Sequence, residues 1–200
     1  MSRETVRGAF AVLEAQGFLE AEPREADGWR VGSLIGDRAQ ALLADYLVVS
    51  NLSIADIYQI RRLLEPDLVA ELAGHLPDEM LDELEAAIDA EGPSDDPALD
   101  RQIAALALHA RLAREARNPL LGVLVGALAR ALSELAVAGA GDAPPWASFL
   151  RKGQDYRPLL IAALRDGDAR EAQRIVRDHL ETALHLAGGG DSPPLRLIAE

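Results

Sequence analysis

The stretch "LSIADIYQIRRLLEPDLVAELAGHL", residues 52–76, decides how the chain is read. Ser53 stands where a helix N-cap belongs and Asp56 follows at the third helical position, so the pair can form a capping box on the free N–H groups of the first turn. The residues after it read as one long helix with Arg61 and Arg62 in its middle and Pro66 inside it. Proline lacks the N–H and crowds the preceding turn, so a kink is expected there. A helix this long and well capped makes a helical protein the expectation on both sides of it.

Composition agrees. Apolar residues make up 49% of the 200 and aromatics only 4%, so the core must be built from Ala, Leu, Val and Ile, which suits helix packing better than sheets. The length allows one large domain with a small appendage. The formal charge of −13 argues against a non-specific grip on nucleic acid or an anionic membrane. Residues 1–32 carry only −2 of it. Without cysteine there is no disulfide framework, thiolate metal site or Cys nucleophile. No apolar run is read as a membrane span and no signal peptide is read at the start, so a cytoplasmic protein without a membrane partner is expected.

Ahead of the central helix, residues 2–16 set Val6, Phe10, Leu13 and Val12 or Ala9 on one stripe, expected to be a buried face, with Gly17 as the stop. Arg3, Glu4 and Arg7 point outward. Two short apolar stretches then flank "PREADG" and read as a hairpin. Helices follow at 37–49, from Pro77 through "DEMLDELEAAIDAEG", at 97–116, 119–138, about 145–165 and 169–187. "EGPSDDP" is linker-like, Asn118 and Pro119 form an N-cap and first-turn pair, and "DGD" at 166–168 ends one helix and caps the next. The expected architecture is mainly α. Residues 1–34 hold a helix and hairpin, 37–188 an antiparallel bundle of six to seven helices, and 189–200 a loosely ordered tail.

No strict metal motif, phosphate loop or nucleophile triad is present, so a catalytically silent bundle is expected rather than an enzyme. The histidines are His75, His109, His179 and His185. His109 and His179 lie in mid-helix near apolar stripes, where each is either a satisfied core residue or one of two groups converging on a cavity. Arg61 is open to two readings. It forms an i, i+4 pair with Glu65 worth tenths of a kcal/mol, or it points into the bundle and offers its fork to a ligand carboxylate.

Four blocks in order resemble the GntR superfamily of bacterial transcription regulators, in its FadR-type branch with an FCD effector domain. "SRETVRGAFAVLEAQGFLE" (2–20) is similar to the recognition helix and wing of its winged helix-turn-helix, and "IYQIRRLLEPDLVAELAG" (57–74) to the opening effector helix. "LHARLAREARNPLL" (108–121) is similar to the central histidine segment, and "LIAALRDGDAREAQRIVRDHLE" (160–181) to the closing helix pair. The resemblance implies a homodimer that reads operator DNA and binds a small organic acid in its helical domain. It places DNA contacts at Arg3, Thr5 and Arg7, with Arg24 and Arg30 on the wing.

Many relatives hold a divalent metal with an Asp and a His four residues apart and two later histidines. Here His109 and His179 match, but Ala105 replaces the Asp and Tyr156 the middle His. Zinc or nickel would be the metals in question, and no tightly held ion is expected. His109, Tyr156 and His179 are then expected to hydrogen-bond an effector, with Arg61 as its carboxylate anchor. The resemblance also implies two further helices before the recognition helix. Met1 occupies the place of a small apolar residue there, which suggests that the protein begins upstream of it.

Overall fold

The computed structural model describes residues 2–16, 18–21, 28–31, 35–50, 52–91, 97–138 and 156–186. Among them the chain forms α1 (Arg3–Ala15), a strand pair β1 (Leu19–Ala21) and β2 (Trp29–Val31), and seven further helices. These are α2 (Ile35–Val49), α3 (Ile54–Leu72), α4 (Asp78–Asp89), α5 (Pro97–Ala113), α6 (Pro119–Ala138), α7 (Arg157–Arg165) and α8 (Ala169–Leu186). The protein is mainly helical. Several sequence boundaries move: α3 stops at Leu72 rather than 76, α4 at Asp89 rather than 92 and α5 at Ala113 rather than 116, and α7 starts at Arg157, with 139–155 outside the described residues. The tail 189–200 also lies outside them.

Local chemistry explains the helix starts. Ser53 Oγ accepts from the Asp56 N–H at 3.1 Å while Asp56 Oδ2 accepts from the Ser53 N–H at 2.8 Å, which closes the capping box. Asn118 Oδ1 accepts from the Leu120 N–H at 3.1 Å, and Asp168 Oδ1 from the Glu171 N–H at 3.0 Å. α3 continues through Pro66 to Leu72. The carbonyl that Pro66 leaves without an intrahelical donor belongs to Arg62, on the exposed side.

The bundle is organised by α3, which packs along α8 and touches α5 and α6. α5 and α6 form a helical hairpin, α2 lies on α6, and α7 bridges α4 and α8. Leu68, Leu106, Leu112, Leu160, Ile161 and Leu180 are core residues with at most 2% exposure. The α2–α6 seam is built from smaller side chains: Ala44 and Val48 meet Ala127 and Ala131. Contrary to the sequence reading, among the described residues one helix is long and apolar enough to cross a membrane, at Pro119–Val137, and half of that window is buried inside the bundle. α6 owes its apolarity to contact with α2 and α5 on two sides.

The stripe expected to be buried on α1 is not. None of its residues is buried, Val12 is exposed, and Val6, Phe10 and Leu13 are half-covered. A two-stranded hairpin is too small to cover a helix face. Its contact is Phe10 on Trp29, ring centroids 5.6 Å apart. Arg38 of α2 donates to the Ala15 carbonyl at 3.0 Å and joins the C-terminus of α1 to the bundle.

The ends of α3 and α7 meet backbone to backbone. Gly74 and Gly167 both hold left-handed φ angles, 72° and 71°. The Gly74 N–H donates to the Leu164 carbonyl at 2.8 Å, and a Cβ on Gly74 would lie 3.2 Å from the Gly167 Cα. Gly74→Ala should therefore lower the stability of the bundle by about 1–2 kcal/mol, read as a lower urea midpoint with unchanged helical circular dichroism. An unchanged midpoint would show that the α3–α7 junction carries no such constraint.

Candidate functional site

Burial forces the chemistry at the centre of the bundle. Arg61 is 1% exposed and Glu65 0%, one turn apart on α3. The Glu65 carboxylate takes the Arg61 guanidinium side-on: Oε1 accepts from Nε, and Oε2 accepts from Nη2 at 3.1 Å. Both sequence readings of Arg61 therefore hold in part. It does pair with Glu65, and it does point inward. The pair is not the weak surface bridge expected, and the side-on fork expected for a ligand carboxylate is already filled by Glu65. Arg62 is exposed. The Arg61 Cζ also lies 5.0 Å from the centre of the Tyr58 ring, a cation–π contact in a dry setting.

Glu65 reaches a second partner, on α5. Its Oε2 lies 2.9 Å from His109 Nδ1, and His109 is 1% exposed. His109 Nε2 in turn lies 2.7 Å from the Tyr156 hydroxyl, just ahead of α7. A carboxylate can only accept, so Nδ1 carries a proton toward Glu65, and Nε2 and the phenol share one hydrogen bond. The Tyr156 ring stacks on His179 of α8 with centroids 3.8 Å apart, and His109 lies 6.2 Å from His179. Of the expected effector residues, the fold thus brings all four together. His75 is elsewhere, its Nδ1 2.9 Å from the Ala73 carbonyl, and His185 is exposed.

The titration properties follow. Burial alone would raise the Glu65 carboxyl, but Arg61 and then His109 outweigh it and hold it at about 2, from an ordinary 4.5. Burial pushes the Tyr156 phenol up, so it keeps its proton and can donate. Burial, then the neighbouring His109 and Arg61, push His179 well below 6.5, so its imidazole is neutral. Apart from the matched Arg61–Glu65 pair, the chain of side chains is held by hydrogen bonds and stacking.

This arrangement does not fit a metal. Both His109 nitrogens are engaged, one by Glu65 and one by Tyr156, so no imidazole lone pair faces outward from it. Ala105 is a buried methyl where a carboxylate ligand would stand, and among the described residues no three His, Asp or Glu side chains are grouped to hold an ion. Sequence reasoning also missed Tyr58 and the full role of Glu65. The signal was there in the spacing: 58, 61, 65, 68 and 72 are all buried on α3, so Glu65 falls on the inward face.

Among the expected DNA contacts, Arg3, Thr5 and Arg7 are exposed on α1. Arg3 and Arg7 share a face at i, i+4 spacing. The Thr5 hydroxyl lies 2.8 Å from Ser2 Oγ, which also accepts from the Thr5 N–H, so Thr5 takes part in capping the helix. Arg30 is on β2 opposite Glu20, and Arg24 lies outside the described residues.

A family model described as the FCD domain matches residues 56–182, which spans α3 to α8 and every side chain of the buried centre. No curated protein matches the chain.

The shifted groups set the pH response. Glu65 titrates lower folded than unfolded, so its contribution is complete above about 4.5 and is lost as pH falls toward 2. His179 stays neutral in the fold while the unfolded chain takes up a proton below about 6.5, so stability should begin to fall there. Denaturant melts from pH 8 to 3 should show both phases. His179→Gln should remove the first phase, and Glu65→Gln should cost about 3–5 kcal/mol at pH 7 by stranding Arg61. A flat profile in the wild type, or a His179→Gln profile identical to it, would refute the assignment.

Proposed function

The chain belongs to the FCD-domain family, the ligand-binding regulatory domain of GntR-type transcription regulators, and on that footing we propose a homodimeric, ligand-responsive DNA-binding regulator that works in the cytoplasm without catalysis. α1 serves as recognition helix and the β1–β2 hairpin as wing. The DNA contacts are Arg3, Thr5 and Arg7, with Arg24 and Arg30 on the wing. Arg residues at i, i+4 can reach guanine edges or phosphates from one helix face.

The effector is a small organic acid bound among Arg61, His109, Tyr156 and His179. The observation that carries this reading is the polar chain at the centre of an FCD fold, which draws these groups from α3, α5, α8 and the start of α7. A ligand that rearranges it acts on several helices at once. An acid entering with its proton would exchange with Glu65 on Arg61 and pass that proton to Glu65, so neither the guanidinium nor the displaced carboxylate is left as an unpaired buried charge. Binding would then bias the placement of the two DNA readers on operator half-sites.

A second reading has an observation in its favour. α1 buries none of its residues, so a ligand-binding dimer without effective DNA binding is the alternative. Fluorescence anisotropy with duplexes from the intergenic region upstream of the gene separates the two. The regulator should bind one such duplex at least about tenfold tighter than random DNA at matched salt, and Arg3→Ala or Arg7→Ala should each weaken that preference by about tenfold. Equal binding to all duplexes would leave only the ligand-binding module.

A further inference from the structure

A cavity of about 260 Å³ opens between α4, α5 and the start of α7. It is not part of the Arg61–Glu65–His109 centre. Ala107 lines it while His109 faces that centre, and residues two apart on a helix stand about 200° apart round its axis. The walls are apolar, with Leu84 and Ile88 on one side, Leu108 on the other and alanines between. Three charged residues edge it: Glu91, Arg111 and Arg157.

Arg157 is the unusual group. It is 1% exposed, at the first position of α7, and Glu91 binds it through two bonds, Nη2 to Oε2 at 2.8 Å and Nη1 to Oε1. The two partners differ in freedom. Arg157 is fixed inside the bundle, whereas Glu91 lies past the end of α4 with its side chain 30% exposed. A buried guanidinium needs an anion beside it. Nothing requires that anion to be Glu91, since a carboxylate from solution could take the same fork while Glu91 turns to water. Arg111 is already paired with Glu115, so Arg157 is the cationic group here whose partner Glu91 can leave, and a cation would meet Glu91 already held by Arg157.

We propose that this cavity is a binding site for a small aliphatic carboxylate, its apolar body between α4 and α5 and its carboxylate on Arg157 in place of Glu91. A dry cavity of roughly 150 Å³ accepts a benzene ring, so the space here suits an acid of about six to eight carbons. The site is distinct from the effector centre and does not depend on that reading.

Calorimetric titration of the full chain with hexanoate tests it, with hexan-1-ol and hexylamine as controls for the carboxylate. Hexanoate should bind saturably, and both controls at least about tenfold more weakly. Glu91→Gln removes the internal competitor and should tighten hexanoate binding about threefold or more. Ala107→Trp places bulk at an exposed wall position and should weaken it about tenfold or more, with unchanged circular dichroism. Absence of saturable binding, equal binding of hexan-1-ol, or weaker binding to Glu91→Gln would overturn the proposal. So would loss of hexanoate binding in His109→Ala with retention in Ala107→Trp, which would instead place the acid at the effector centre.

Discussion

A guanidinium sealed inside a helical bundle cannot be there alone, and Arg61 is 1% exposed. The cost of removing that charge from water is offset only by a carboxylate with good geometry and by partners for the carboxylate's remaining lone pairs. Glu65 meets the first condition from the next turn of the same helix. It cannot meet the second from α3, so His109 must approach from α5 with Nδ1 toward it. That contact orients the ring and turns Nε2 toward the hydroxyl of Tyr156, just ahead of α7. One buried charge thereby sets the relative positions of three segments far apart in sequence.

Such a constraint matters most in a core like this one. The seam between α2 and α6 is made of Ala44, Val48, Ala127 and Ala131, small side chains that tolerate sliding better than interlocked large ones. Hydrophobic burial supplies the driving force but is nearly indifferent to register. Hydrogen bonds 2.7 and 2.9 Å long are satisfied at one register alone. The left-handed contact of Gly74 with Gly167 adds a second fixed point, at the opposite chemical extreme, where the absence of side chains lets α3 and α7 end against each other.

Features that depend on neighbouring residues could be read from the chain. The capping box of Ser53 and Asp56, the cap of Asn118 and the stop at Gly167 are local bargains between a side chain or a glycine and the nearest backbone. His109, Tyr156 and His179 were legible as a group through resemblance. Glu65 was seen only as the partner of Arg61, because its meaning comes from His109, which local spacing cannot bring near it. Glu91 and Arg157 escaped for the same reason. The stripe on α1 misled in the other direction: periodicity shows which face is apolar, not whether anything covers it, and among the described residues a short hairpin is what lies on it.

The two departures from the metal-binding pattern become one change in this light. A divalent ion among a carboxylate and three imidazoles balances its charge with the carboxylate and takes a lone pair from each ring. Ala105 removes the carboxylate, and Tyr156 puts a phenol, hydrogen-bonded to His109 Nε2, where a ring lone pair would be. Either change alone would leave a defect, a metal short of negative charge or a carboxylate beside a phenol. Together they give a centre built on the matched Arg61 and Glu65, with His179 kept neutral by its surroundings. In the proposed function, recognition at such a centre rests on hydrogen bonds to Tyr156 and His179 and on exchange at Arg61. On that reading its selectivity is set by which incoming group can replace Glu65 and leave neither the guanidinium nor the carboxylate stranded.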